Sequence, residues 1–139
     1  MRAKAKSVPA KNRSFAETAR RAQIVDCAID TIAEVGFAKA SVDQIAKRAG
    51  VSKGVITYHF PNKEEIVDAI VEKVMAEGRT YMEPRIMAET SAAGRLRAYI
   101  ESDLEFIDAY RKSLIALVEI AMSARRADGS LVIGPESLA

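Results

Sequence analysis

The chain has one cysteine, one histidine, four prolines and no long apolar run in 139 residues. A single thiol, Cys27, excludes an intramolecular disulfide and any multi-cysteine metal site, and it fits a reducing, cytoplasmic setting. No apolar stretch reaches the length needed to span a bilayer, so no membrane partner is expected. Basic residues open the chain, but no apolar signal core follows them, which argues against export. Alternation of apolar and polar residues never persists long enough for a sheet. Paired carboxylates, a metal-ligand cluster and a Gly-rich phosphate loop are also missing, so neither an enzyme nor a cofactor is expected. What remains is 49% hydrophobic and 29% charged, enough for one compact domain or a small domain with an appendage.

The net charge of +2 conceals an asymmetry. Through Lys63 there are twelve Lys/Arg against five Asp/Glu; from Glu64 onward there are nine against fourteen. Such a split points to a polyanionic partner for the first half alone, although a chance imbalance on solvated faces gives the same count. Residues 1–13 hold five basic residues and no acid, and read as a flexible basic tail. Solubility and contacts to DNA phosphates or the minor groove both suit it.

Six helices are expected. Ser14-x-x-Glu17 has capping-box form and opens a helix over about 15–35, with Val25, Ala28, Ile29 and Ile32 at helical spacing and Gly36 as its stop. Ser41-x-x-Gln44 opens a short helix with Ile45, Ala46 and Ala49 inward, ended by Gly50. Ser52 caps a third over about 53–59, which Pro61 stops. Asn62-x-x-Glu65 opens a fourth, whose stripe of Ile66, Val67, Ile70, Val71 and Val74 fades between Gly78 and Pro84. A fifth fits about 92–110 through Leu96, Tyr99, Ile100, Leu104 and Ile107. A sixth fits about 113–126 through Leu114, Leu117, Val118 and Ala121. Residues 127–139 show no helical period. The fold class is all-α: a three-helix unit with a helix-turn-helix over 14–62, then a partial helical region over 63–126 that the fourth helix links on.

The stretch RAGVSKGVITYHF (48–60) concentrates small hydroxyls and positive charge around one bend and carries no acid. Ala46 permits close helix approach, Gly50 can take the positive φ of the turn, and Ile56 points back into the core. The remaining residues suit DNA. Ser52 presents a hydroxyl beside free backbone N–H groups, and Lys53 adds charge. Gly54 lets the helix lie close to the groove. Thr57 offers a hydroxyl and a methyl to a base edge. Tyr58, His59 and Lys63 are expected to donate to flanking phosphates. Other readings stand beside these: Gly50, Gly54 and Ser52 as ordinary caps, and His59 as a partly buried, satisfied histidine. Phe60 and Ile56 read as core, Cys27 as a buried structural thiol. Met75, Met82, Met87 and Met122 suit either a core gap or an adaptable pocket.

Residues 41–70, SVDQIAKRAGVSKGVITYHFPNKEEIVDAI, resemble the DNA-binding module of the TetR family of bacterial repressors. Ser41, Ile45, Ala46, Ala49, Gly50, Val51, Ser52, Gly54, Tyr58, His59, Phe60, Lys63 and Glu64 match its pattern in register, and Gly36-Phe37 matches its Gly-aromatic link. Thr57 stands where many relatives carry an aromatic, and Ser41 where Thr is common. The resemblance is close over about 17–75 and architectural beyond. It implies a sequence-specific transcriptional repressor released by a small-molecule effector and acting as a homodimer on a palindromic double-stranded DNA operator. Lys53, Val55 and Thr57 would lie nearest the bases, and Ser41, Ser52, Tyr58, His59 and Lys63 would hold the backbone. Relatives usually continue through further helices that complete the effector pocket and the dimer. The alternative is a truncated or non-DNA-binding helical protein acting through protein partners.

Overall fold

The structure, a computed structural model, describes residues 14–126 and 128–131. The basic tail expected over 1–13 and most of the segment 127–139 lie outside the described residues. Six helices follow in order: α1 (Phe15–Val35), α2 (Val42–Ala49), α3 (Lys53–His59), α4 (Lys63–Met87), α5 (Ala92–Ala109) and α6 (Arg111–Ser123). Among the described residues no helix is long and apolar enough to cross a membrane.

Local chemistry sets the first boundaries. Ser14, Ser41, Ser52 and Asn62 each accept a hydrogen bond from the backbone N–H three residues on, which satisfies an orphan donor of the first turn. Only Ser41 and Gln44 complete the reciprocal capping box. Gly36 closes α1 at φ 84° and Gly50 closes α2 at φ 68°. Between these ends Ile24, Ala28 and Ile32 of α1, Ile45 of α2, Ile56 of α3 and Ile66, Val67 and Ile70 of α4 form one core with Phe60, and all are essentially sealed from solvent. Ala116 and Ile120 of α6 join the same core, so the carboxy-terminal helix packs on α1.

Two expectations need correction. α4 does not fade between Gly78 and Pro84 but runs to Met87. Gly78 lies inside the helix beside the Phe106 ring, where a Cβ would stand 3.6 Å away in ordinary contact. α6 starts and ends earlier than expected. Tyr110, at φ −117° and ψ 35°, serves as the whole break between α5 and α6. Ala124 then turns extended, and Arg125 forms an antiparallel bridge with Leu131. The apolar residues that mark α5, Leu96, Tyr99, Ile100, Leu104 and Ile107, are all exposed, and Ser102 and Phe106 are its buried residues. α5 leans mainly on α4 and more lightly on α6, and these apolar side chains stay exposed.

Candidate nucleic-acid interface

The turn between α2 and α3 is built on Gly50. Its left-handed backbone (φ 68°, ψ 32°) lets its own N–H reach Lys47 O and lets Val51 N–H reach Ala46 O at 3.0 Å. Ala46 and Ala49 are buried at the close approach, and Ile56 anchors α3 from beneath. The Gln23 amide donates to Ala49 O at 3.2 Å, which fastens the end of α2 to α1.

This anchoring turns one face of α3 outward. Lys53, Gly54, Thr57 and Tyr58 are exposed, at spacings that place them on one side of the helix. Val55 is half-buried at the flank. A Cβ on Gly54 would meet only Ser52 Oγ at 3.7 Å, so that face is flat as well as bare. Thr57 Oγ1 donates to Gly54 O at 3.1 Å, which engages the hydroxyl. Tyr58 is 53% exposed, and its hydroxyl donates to Glu17 at 3.3 Å. Lys53 pairs with Asp43 of α2 at 3.6 Å with both side chains well exposed, a contact that solvent screens. Ser41 and Ser52 are exposed at the starts of their helices, with their side-chain oxygens engaged in capping.

Two expected phosphate donors are placed differently. His59 is 7% exposed and lies under Tyr58, the rings edge to face with centroids 5.0 Å apart. It sits three residues after Ile56 and therefore shares its inward face. Lys63 is half-buried. Its Nζ donates to Phe37 O at 2.6 Å and rests 4.0 Å from the centre of the Phe37 ring. Burial pushes this ammonium below the ordinary lysine range. Both side chains brace the outward face instead of forming it.

Sequence reasoning did not single out Arg21. Its guanidinium donates to His59 O at 2.7 Å and stacks 3.9 Å over Phe60, locking the end of α3 to α1. Glu17 entered only as a capping-box residue and Asp43 not at all, yet they contact Tyr58 and Lys53. These contacts join residues far apart in the chain, and no local pattern announces them.

A second feature lies between α4, α5 and α6: a cavity of about 450 Å³, lined mainly by apolar residues such as Val74, Met82, Phe106 and Leu117. Met75 and Met87 also line it, whereas Met122 does not. Arg79, Glu83 and Asp103 are the charged residues on its wall.

Residues 24–70 match the family model described as bacterial regulatory proteins, tetR family. The chain is 30% identical over 107 residues to the HTH-type transcriptional regulator BetI of Cronobacter sakazakii, covering 76% of this chain and 53% of that protein. It is 35% identical over 88 residues to the BetI regulator of Klebsiella pneumoniae, covering 62% and 45%. Among solved structures it is similar to the fatty acid degradation regulator FadR from Bacillus halodurans, with a TM-score of 0.68 and 28% identity over 76% of this chain and 55% of that one. The TetR family protein CprB from S. coelicolor A3(2) shares the fold at a TM-score of 0.65 and 21% identity, over 87% and 56%. The chain spans about half the length of the curated relatives it matches. Through residues 24–70, from within α1 into α4, the chain belongs to the TetR family of bacterial regulatory proteins.

Proposed function

We propose that the chain binds double-stranded DNA through α2 and α3 and acts as a sequence-specific transcriptional repressor, not as an enzyme. One observation carries this reading: α3 presents Lys53, Gly54, Thr57 and Tyr58 outward while Ile56, His59 and Phe60 hold it to the core. A helix so mounted fits the major groove with its first turn foremost. Lys53, Val55 and Thr57 then lie nearest the base edges. Ser41, Ser52 and Tyr58 reach the phosphates, while His59 and Lys63 hold the helix from behind. Residues 14–62 form the DNA-binding part and 63–126 the regulatory part. Such a regulator works beside the chromosome, in the cytoplasm.

The cavity among α4, α5 and α6 suits a small, largely apolar effector whose binding releases the repressor. Helix-turn-helix proteins read palindromic sites as symmetric dimers, and a homodimer on a palindromic operator is the assembly proposed here. Selection of bound duplexes from a random pool, with the mass of the complex measured on the same sample, tests both points. An enriched inverted repeat bound by two chains supports the reading, and a pool without enrichment overturns it.

A further inference from the structure

The Gly36–Phe37 link, which leads from α1 into α2, is gripped from both sides. Glu119 of α6 accepts a hydrogen bond from Phe37 N–H at 3.1 Å. Lys63 of α4 donates to the carbonyl of the same residue at 2.6 Å. The grip is close: a Cβ on Gly36 would come within 3.2 Å of Glu119 Oε2, and φ 84° independently favours glycine there. The link also sets the start of α2, since Ala40 N–H returns to Gly36 O at 3.1 Å just before the Ser41 cap.

Both gripping helices wall the cavity. Leu117 of α6 stands two residues before Glu119, within the same turn. Val74, Gly78 and Met82 of α4 lie on the rigid helix that begins at Lys63. Anything that changes the spacing of α4 and α6 must strain one of the two hydrogen bonds on Phe37. Ala116 and Ile120, both sealed from solvent, hold α6 to α1 on either side of Glu119, so the carboxylate is not needed to keep the helix docked.

We propose that Glu119 is the positioning residue that ties the state of the α4–α5–α6 cavity to the helices that read DNA, by holding the Phe37 amide. This rests on the DNA-binding reading above. The contact joins residues 82 apart, and its donor is a backbone N–H. A charged acceptor makes such a bond strong, and its loss frees the link while leaving the cores of both parts intact.

The test is a double-mutant cycle on the 139-residue chain. Gly78→Leu crowds the cavity from α4. Glu119→Leu removes the acceptor at similar bulk, and Glu119→Gln retains an oxygen that can accept. Circular dichroism confirms that each variant is folded, and amide exchange at Phe37 is followed by NMR. Glu119→Leu is expected to accelerate Phe37 exchange about tenfold or more, with Glu119→Gln restoring most of the protection. Gly78→Leu is expected to shift DNA affinity about fivefold or more in the Glu119 background and less than about twofold beside Glu119→Leu. Fold-changes that simply multiply overturn the inference, as does a Gly78→Leu variant that binds DNA like the parent. If the parent chain binds no DNA, the functional reading fails, and the same cycle read in Phe37 exchange still decides whether Glu119 couples the two parts.

Discussion

Arg21 donates to the backbone carbonyl of His59 at 2.7 Å, and the same guanidinium covers the neighbouring Phe60 ring. One side chain of α1 thus closes the end of α3, where the carbonyls lack helical partners. Arg21→Ala is expected to lower unfolding free energy by about 1–3 kcal/mol, the range for a charge-assisted hydrogen bond. Arg21→Lys recovers only part, because an ammonium cannot stack flat on the ring. Urea unfolding of the three proteins measures this; equal midpoints contradict it.

Gly50 offers a cleaner backbone test. A Cβ there meets nothing within 4 Å, so Gly50→Ala creates no clash. Its left-handed backbone nevertheless penalises any L-residue, and the expected loss is about 1 kcal/mol. Gly50→Asn loses less, since Asn visits this region more readily. A stability gain for Gly50→Ala contradicts the assigned turn.

The two lysines at the candidate interface part company. Lys53 is exposed, and its replacement by Ala is expected to weaken binding to all duplexes and to flatten the salt slope by about 1. Lys63 is engaged with Phe37, so Lys63→Met is expected to lower stability while the salt slope stays within error. Thr57→Ala is expected to change preference among sequences. Titrations at four salt concentrations separate these outcomes.

Much of this arrangement was legible in the sequence. The bounds of α1, α2 and α3 follow from Ser14, Ser41 and Ser52, from Gly36 and Gly50, and from apolar residues at helical spacing, all of which act within a few residues. The inward side of α3 was legible too: three positions after Ile56, His59 could be placed beneath the helix by counting alone. Lys63 could not, because its partner Phe37 lies 26 residues away and only the packed fold brings them together. Gly78 and Pro84 read locally as breakers, yet α4 continues through both to Met87, with Gly78 facing the Phe106 ring at an ordinary contact distance. In α5 the periodicity gave the helix, but spacing does not say which stripe meets a neighbour, and Ser102 and Phe106 are the residues the fold covers.

Cys27 is half-buried on α1. Burial, followed by the negative charge of Asp30, raises its thiol above the ordinary range. A raised value means less thiolate at a given pH, so alkylation at pH 8 is expected to run several-fold slower than for a free cysteine and to climb with further alkali. A rate equal to that of the free amino acid contradicts this placement.

Titration of the chain against random-sequence duplex across a range of salt is the most direct measurement. A cationic helix seated on phosphates releases counterions, so log K is expected to fall linearly with log salt, with a slope of about −3 or steeper for several neutralised phosphates. Lys53→Glu should abolish most of that binding. Affinity that ignores salt, or survives Lys53→Glu unchanged, contradicts a DNA-facing role for α3.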